Sequence, residues 1–252
     1  MIRIKKIIFF ICLIGFITML IATIYPYFKY KQEDNEYKDL ATKKEEINTN
    51  NNTNIDDVTN LVLEYYQKLH EINNDMIGWI KIEGTVIDYP VMHKPNNEDY
   101  YLSHTFYKKY SLSGTPFASK NYKTNNNNIL IYAHNTNNQT LFGQLLKYKD
   151  KSFYDKYQYI NFDTLEETST YQIISVFNSR VFYEDEEVFK YYKMDYNLNE
   201  KEFNHYIENI KQLSLYDTGI TANYGEKLIT LSTCSNEIED GRIVVVAKKI
   251  IN

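Results

Sequence analysis

One cysteine in this chain is placed to do chemistry. Cys234 closes the run Thr-Leu-Ser-Thr-Cys (Thr230 to Cys234), and Arg242 follows eight residues later. The second cysteine, Cys12, lies in an apolar N-terminal run that cannot share a compartment with it, so Cys234 has no disulfide partner in its own chain. An unpaired thiol in an exported protein is either an accident or a reactive group. Arginine is scarce: Arg3, Arg180 and Arg242 are the only three among 28 basic residues. A guanidinium beside a thiol favours the thiolate, the form that acts as a nucleophile. The competing reading is a small buried hydrophobe, which is what most free cysteines are.

A nucleophilic thiol needs a group to move its proton, normally a histidine. Five are available. His70 and His205 fall on helix-patterned stretches and are expected in solvent, while His93 and His104 lie in turn-rich stretches with no special setting. His134 ends the apolar run Asn128 to Ala133 and precedes the polar loop Asn-Thr-Asn-Asn-Gln. Working groups concentrate where a rigid element meets a loop. A lone histidine is still more often inert, so position alone leaves both readings open.

Strands must hold these groups. Gly78 to Ile82, Val86 to Met92, Ile129 to Ala133, Tyr171 to Phe177, Leu228 to Thr233 and Ile243 to Ala247 are short strand-like runs broken by turn residues. That density predicts a barrel or sandwich. The segment Ser-Asn-Glu-Ile-Glu-Asp-Gly between Cys234 and Arg242 reads as a loop. An antiparallel hairpin there sets the two residues opposite one another, with Cα atoms about 4.5–5.5 Å apart. Alternation puts Thr230, Ser232 and Cys234 on one face, with Ile229, Leu231 and Thr233 on the other. Two helices are expected beside the strands. Asp56 or Asp57 caps the first, whose apolar positions Val58, Val62, Tyr65, Leu69 and Ile72 follow helical steps. Asn199 and Glu202 form a capping box for the second, with Phe203, Tyr206, Ile207, Ile210 and Leu213 on the face turned to the sheet.

The N-terminus bears on the compartment. Ile7 to Tyr25 is almost wholly apolar, within the about 17–25 residues that cross a bilayer as a helix. Arg3, Lys5 and Lys6 precede it, which favours a cytoplasmic N-terminus. A cleaved signal peptide is the rival reading, but its apolar core is usually about 7–15 residues and ends in a small-x-small site. The stretch after Ala22 has no such site. The expected organisation is a cytoplasmic tail (1–6), a signal anchor (7–25), an extracellular stalk (26–60) and one catalytic domain (61–252). Within the stalk, Lys29 to Ile47 is charged and compatible with partial helix, and Asn48 to Asn54 is polar low complexity. A net charge of −5 gives no reason to expect nucleic-acid binding.

Tyr-Ala-His-Asn (132–135), Thr-Leu-Ser-Thr-Cys (230–234) and Gly-Arg-Ile-Val-Val-Val-Ala-Lys (241–248) together resemble the three signatures of the sortases, the Gram-positive cell-surface transpeptidases. The resemblance is to class B. It extends to Gly-Trp-Ile-Lys-Ile-Glu-Gly-Thr-Val-Ile-Asp-Tyr-Pro-Val (78–91), Tyr-Tyr-Leu-Ser-His-Thr-Phe (100–106) and Ser-Gly-Thr-Pro-Phe (113–117), and to the helix from Glu200 to Leu213 before the cysteine strand. It implies a mainly β fold, a closed barrel of seven or eight strands with N-terminal helices. It implies Cys234 as nucleophile on the threonine carbonyl of a sorting signal, His134 as proton carrier, and Arg242 as donor to substrate and oxyanion. It further implies that Ser232, Thr233, Leu102, Tyr191 and Tyr192 line the peptide-binding groove. The implied partners are sorting-signal peptides and a cell-wall peptide amine, a peptidoglycan precursor or cross-bridge, with no metal or cofactor. One departure stands out: some class B members carry an acidic residue two positions after the cysteine, where this chain has Asn236.

Two other classes compete. A papain-like wall amidase or peptidase usually places its cysteine before its histidine, at a helix start; here the order is reversed and the cysteine ends a strand. A silent anchored β-domain would keep the apolar pattern without needing cysteine, histidine or arginine at these positions.

Overall fold

Eight strands close into a barrel, with one apolar cluster inside it and a second beneath a helix on its outer face. The computed structural model describes residues 2–50, 55–136 and 138–250. Two helices, α1 (Ile2–Asn50) and α2 (Ile55–Ile72), precede β1 (Met76–Lys81) and β2 (Asp88–Met92). β3 (Phe117–Ala118), β4 (Asn128–Tyr132), α3 (Lys151–Lys156), β5 (Tyr159–Thr164) and β6 (Thr170–Arg180) follow. After α4 (Glu200–Leu213), β7 (Leu228–Cys234) and β8 (Gly241–Lys249) complete the chain. The barrel order is β1-β2-β3-β4-β7-β8-β6-β5, with β5 pairing back to β1. Two neighbouring pairs, β2/β3 and β4/β7, run parallel and the rest antiparallel.

Inward positions of β7 and β8 (Ile229, Leu231, Ile243, Val245 and Ala247) meet Ile131, Ile160, Phe162, Ile173 and Val176 in the interior. The opposite face of β7 and β8 is covered by α4, whose Phe203, Tyr206 and Ile210 are buried against Leu130, Phe177, Leu228, Val244 and Val246. The expected capping box is present: Asn199 accepts from the Glu202 amide, and Glu202 accepts from the Asn199 amide. Leu213, expected on the packed face, is 44% exposed because the helix ends there. Tyr206 donates or accepts a 2.8 Å hydrogen bond with Thr230 inside this layer, and burial pushes its phenol up to about 12.

Six strands fall where the sequence places them. β3 and β5 are additional: β3 has only two residues, and β5 buries only Ile160 and Phe162. α2 begins at Ile55, so the expected caps Asp56 and Asp57 lie in its first turn. Its buried face uses Val62, Tyr66 and Leu69, while Ile72 is largely exposed. Tyr66 stacks on Trp79 at 5.8 Å and donates to Asp163 at 3.0 Å.

α1 has two unlike halves. Its first half is apolar and lies outside the core: a window within Ile4–Ile47 has mean hydropathy 2.9 and no buried residue, long and apolar enough to cross a membrane. The second half, read from sequence as a charged, partly helical stalk, is helical to Asn50 and, unlike a stalk, buries one face on the barrel. Tyr37 and Leu40 enter the core, and Glu33 and Lys44 are buried beside them. A large apolar side chain buried this way contributes about 1.5–3 kcal/mol. Steps of three and four (33, 37, 40, 44) mark the face, but two of the four residues are charged, which hid it. Residues 51–54 of the Asn-rich run lie outside the described residues.

Candidate active site

Parallel pairing of β4 with β7 sets up the site. Tyr132 lies beside Ser232 at the end of that ladder, so His134 and Cys234, each two residues further on, leave the barrel at the same rim. The antiparallel hairpin then sets Arg242 directly opposite Cys234. Gly241 allows the loop to close, since a Cβ there would meet the Ser235 carbonyl oxygen at 2.6 Å. Two side chains fasten the rim. Thr233 donates to the Ala133 carbonyl at 2.7 Å, and Asn135 donates to the Cys234 carbonyl at 3.1 Å.

A cleft of about 340 Å³ opens at this rim. Its walls include every residue the sequence nominates: His134, Cys234, Arg242, Ser232, Thr233, Leu102, Tyr191 and Tyr192. Of the five histidines, His134 alone reaches it. His70 joins α2 to the Met76 carbonyl at 2.8 Å rather than standing in solvent, and His104 stacks on Tyr100 at 3.8 Å. His93 is partly buried, which lowers its basicity; His205 is exposed on α4.

Hydrogen bonds define what each wall residue can do. His134 Nε2 lies 2.9 Å from the Leu102 carbonyl oxygen. A carbonyl only accepts, so Nε2 carries a proton and Nδ1 is the nitrogen left to exchange one. Leu102 is held in turn by its neighbour Tyr101, which donates to Asp75 at 2.8 Å and accepts from Asn73 at 2.9 Å. Gly114 packs behind this turn at φ +67°, and a Cβ there would meet the Tyr101 and Leu102 carbonyl oxygens at 2.4 and 2.7 Å. Tyr191 and Ser232 share a 2.7 Å hydrogen bond, and burial holds the Tyr191 phenol above its ordinary range, hence neutral. Thr233 faces the core and its hydroxyl is committed to Ala133, so it contributes position rather than a free hydrogen bond. Tyr192 accepts from the Phe182 amide at 2.9 Å. Arg242 Nη1 donates to the Asp240 and Gly241 carbonyls at 3.1 and 2.9 Å, leaving the donors on Nη2 and Nε.

The sequence missed Glu98, Asp99, Phe117, Tyr132, Ala133 and Val181, which also line the cleft. Glu98 and Asp99 precede the Tyr100–Leu102 segment, and their adjacency to it was the available signal. The acidic residues after the cysteine do not replace the missing carboxylate at Asn236. Glu237 pairs with Lys149 at 2.7 Å, and neither it, Glu239 nor Asp240 reaches the cleft. Among the described residues no group of three His, Cys, Asp or Glu side chains is arranged to hold a metal ion.

The chain matches the sortase domain family over residues 80–250. It is 28% identical over 231 residues to sortase B of Staphylococcus aureus, covering 90% of this chain and 88% of that one. It is 31% identical over 195 residues to sortase B of Listeria monocytogenes, covering 75% of each. Its fold superposes on a Staphylococcus aureus sortase B–substrate complex with a TM-score of 0.74, at 26% identity over 88% of this chain and 98% of the other. Clostridium perfringens sortase B gives a TM-score of 0.66 at 33% identity over 73% and 99%. Barrel, cleft and relatives agree: the chain belongs to the sortase family of cysteine transpeptidases, as a member of class B.

Proposed function

We propose that Cys234, His134 and Arg242 carry the transpeptidation, and that the Cys234 cleft takes the sorting signal of a secreted protein. The observation that carries this reading is the convergence of three strand ends, β4, β7 and β8, on one cleft. In acylation the Cys234 thiolate attacks the threonine carbonyl carbon, and Arg242 donates to the oxyanion. The intermediate collapses as the C–N bond breaks, with the imidazolium of His134 giving its Nδ1 proton to the leaving amine. A thioester and a neutral histidine result. An incoming amine then attacks the thioester carbonyl, His134 accepts its proton, and the thiolate departs. The new bond is an amide, and the starting protonation is restored. Ser232, Tyr191, Tyr192, Thr233 and Leu102 form the peptide-binding walls.

The decisive measurement is the intact mass of the protein after exposure to a sorting peptide without acceptor. The wild type gains the mass of the peptide's N-terminal part through threonine, and Cys234→Ala gains nothing and does not turn over. Full turnover by Cys234→Ala would end the nucleophile assignment.

Residues 7–25 are read as a signal anchor following a cytoplasmic tail (1–6). Residues 26–60 then join the span to an extracellular catalytic domain (61–252). The length of the apolar run and its exposure support this. Mass analysis of the protein extracted from its own cell tests it: the expected chain keeps residues 1–25 in the membrane fraction, and a chain starting after Ala22 in the medium refutes it.

A further inference from the structure

An outer cleft, of about 870 Å³, adjoins the Cys234 cleft and shares Glu98, Tyr132 and Tyr192 with it. Cys234, His134 and Arg242 do not line it. Its sides are the segment from Ser119 to Asn128, which leads into β4, and the segment from Lys193 to Leu198, which leads into α4. Side chains beneath the floor lock the two together. Asp195, 2% exposed, accepts from the Ser119 hydroxyl and from Asn121 at 3.0 Å. Asn126 donates to the Asn121 and Asp195 carbonyls at 2.9 and 3.2 Å. Asn127 donates to the Leu198 carbonyl and accepts from its amide, both at 2.8 Å, and Asn128 donates to the Met194 carbonyl at 2.8 Å. The width of the cleft is fixed by these bonds. Its charges are not evenly spent. Glu184 pairs with Lys193 at 2.6 Å, and Glu98, at the junction of the two clefts, accepts from the Lys120 amide at 3.1 Å. The Lys120 and Lys123 side chains are exposed and make no ion pair among the described residues.

We infer that the outer cleft binds the segment of the donor protein that precedes its sorting signal, an extended polar peptide with acidic side chains opposite Lys120 and Lys123. The inference rests on the roles proposed above for Cys234 and His134 and on the peptide walls assigned there. His134 serves the leaving amine, so the departing side of the substrate lies toward His134. The retained side follows the other walls, past Tyr191 and Tyr192, and Tyr192 is one of the residues the two clefts share. Residues ahead of the signal therefore pass between Tyr132 and Tyr192 into the outer cleft. The chemistry there suits a peptide. Asn125 and Asn197 are exposed on its walls, and their amides offer both donors and acceptors to a backbone. Two lysines that neutralise no carboxylate of their own chain attract acidic side chains. Glu98 repels acid at the junction, which confines that preference to positions ahead of the signal. Contacts away from the reacting bond raise kcat/KM without altering the chemistry at Cys234.

The test uses the full chain in detergent micelles and a sorting peptide that it cleaves, the core peptide. The core is compared with versions lengthened at the N-terminal end by Glu-Ser-Glu-Ser or Lys-Ser-Lys-Ser, and at the C-terminal end by Glu-Ser-Glu-Ser. The N-terminal acidic extension is expected to raise kcat/KM roughly fivefold, the size of two exposed ion pairs. The gain should fade at about 1 M salt, where charges are screened beyond about 3 Å. A Lys120→Gln/Lys123→Gln double variant should lose the gain while cleaving the core peptide like wild type, and a Lys120→Glu/Lys123→Glu variant should prefer the lysine-bearing extension. Melting temperatures check that both variants fold. An equal gain in wild type and variants overturns the inference, as does the absence of any gain. A gain from the C-terminal extension that the lysine variants abolish also overturns it, since the cleft would then hold the departing side. Inhibition of core-peptide cleavage by N-acetylglucosamine oligomers, lost in the variants, would mark a glycan site instead and sink the inference. Cleavage of the core peptide by Cys234→Ala would sink the reading of the Cys234 cleft itself, so the two failures are distinguishable.

Discussion

The barrel wall that carries the cleft and the wall that α1 covers treat polar side chains in opposite ways. Around the cleft, Thr233, Asn135, His134 and one nitrogen of Arg242 are tied to backbone carbonyls. Tyr191 is tied to a neutral hydroxyl. Among the described residues no carboxylate is hydrogen-bonded to His134, so its charge can change during a cycle without breaking an ion pair. Under α1 the polar groups neutralise one another. Lys44 pairs with Asp88, which also accepts from Trp79, and the Lys44 ammonium lies 4.6 Å from the Trp79 ring centroid. Burial lowers the basicity of Lys44 even so, despite the opposing pull of Asp88. One wall keeps charges adjustable, and the other fixes them. Reactivity and anchoring of the helix are thereby separated in space.

A reciprocal pair of variants tests that separation and carries the largest expected effects. Lys44→Ala strands Asp88 and should cost about 3 kcal/mol, the low end for breaking a buried pair because Trp79 still donates. Its kcat/KM per folded molecule should stay near wild type. Arg242→Lys should do the reverse. The ammonium keeps the charge but not the planar fork, and losing one oxyanion donor costs on the order of 10²–10³ in kcat. Its melting temperature should not move. Turnover on a cleavable sorting peptide and thermal melting, run on both proteins, decide the matter. Near-wild-type turnover by Arg242→Lys would reduce Arg242 to a general charge effect. A catalytic collapse in Lys44→Ala would mean the two walls are coupled.

The same contrast explains what the sequence could reveal. The catalytic wall is written in local signals: apolar alternation in β4, β7 and β8, an Asp-Gly turn before Arg242, and a lone thiol at a strand end. Parallel pairing of β4 with β7 is not local, so bringing His134 to Cys234 required either the family resemblance or the folded structure. The α1 wall resists sequence reading because its contacts are polar. Glu33 and Lys44 look like solvated stalk until Leu112, Ser113 and Asp88 are placed opposite them. Nor could the sequence show that α1 places Tyr27, Tyr30 and Asp34 in a cleft whose walls include His134. β5 was missed for a simpler reason: six residues with two buried apolar positions give too little periodicity.

Asp75 joins the two schemes, and its effect should be the smallest. It is a charged anchor on the catalytic side, accepting from Tyr101 at 2.8 Å with Lys94 at 3.2 Å and Lys108 at 3.5 Å. Burial pushes its carboxyl upward, but the Tyr101 hydroxyl and the two lysines outweigh that and hold it below the usual range. A folded-state value below the unfolded one means that the unfolded chain binds more protons as acid is added. The stability Asp75 contributes is therefore complete above the ordinary carboxylate value and disappears as pH falls through its depressed one. Asp75→Asn should melt lower than wild type at pH 6, by the equivalent of about 1 kcal/mol for the weakened hydrogen bonds. The gap should begin to narrow as pH falls below the ordinary carboxylate value, where the unfolded chain's carboxyl takes up protons ahead of the folded one's. Melting curves at intervals from pH 6 to pH 3 give the answer. A gap that stays constant would mean that Asp75 positions the Leu102 turn through shape alone, and that the charges of Lys94 and Lys108 do not stabilise it.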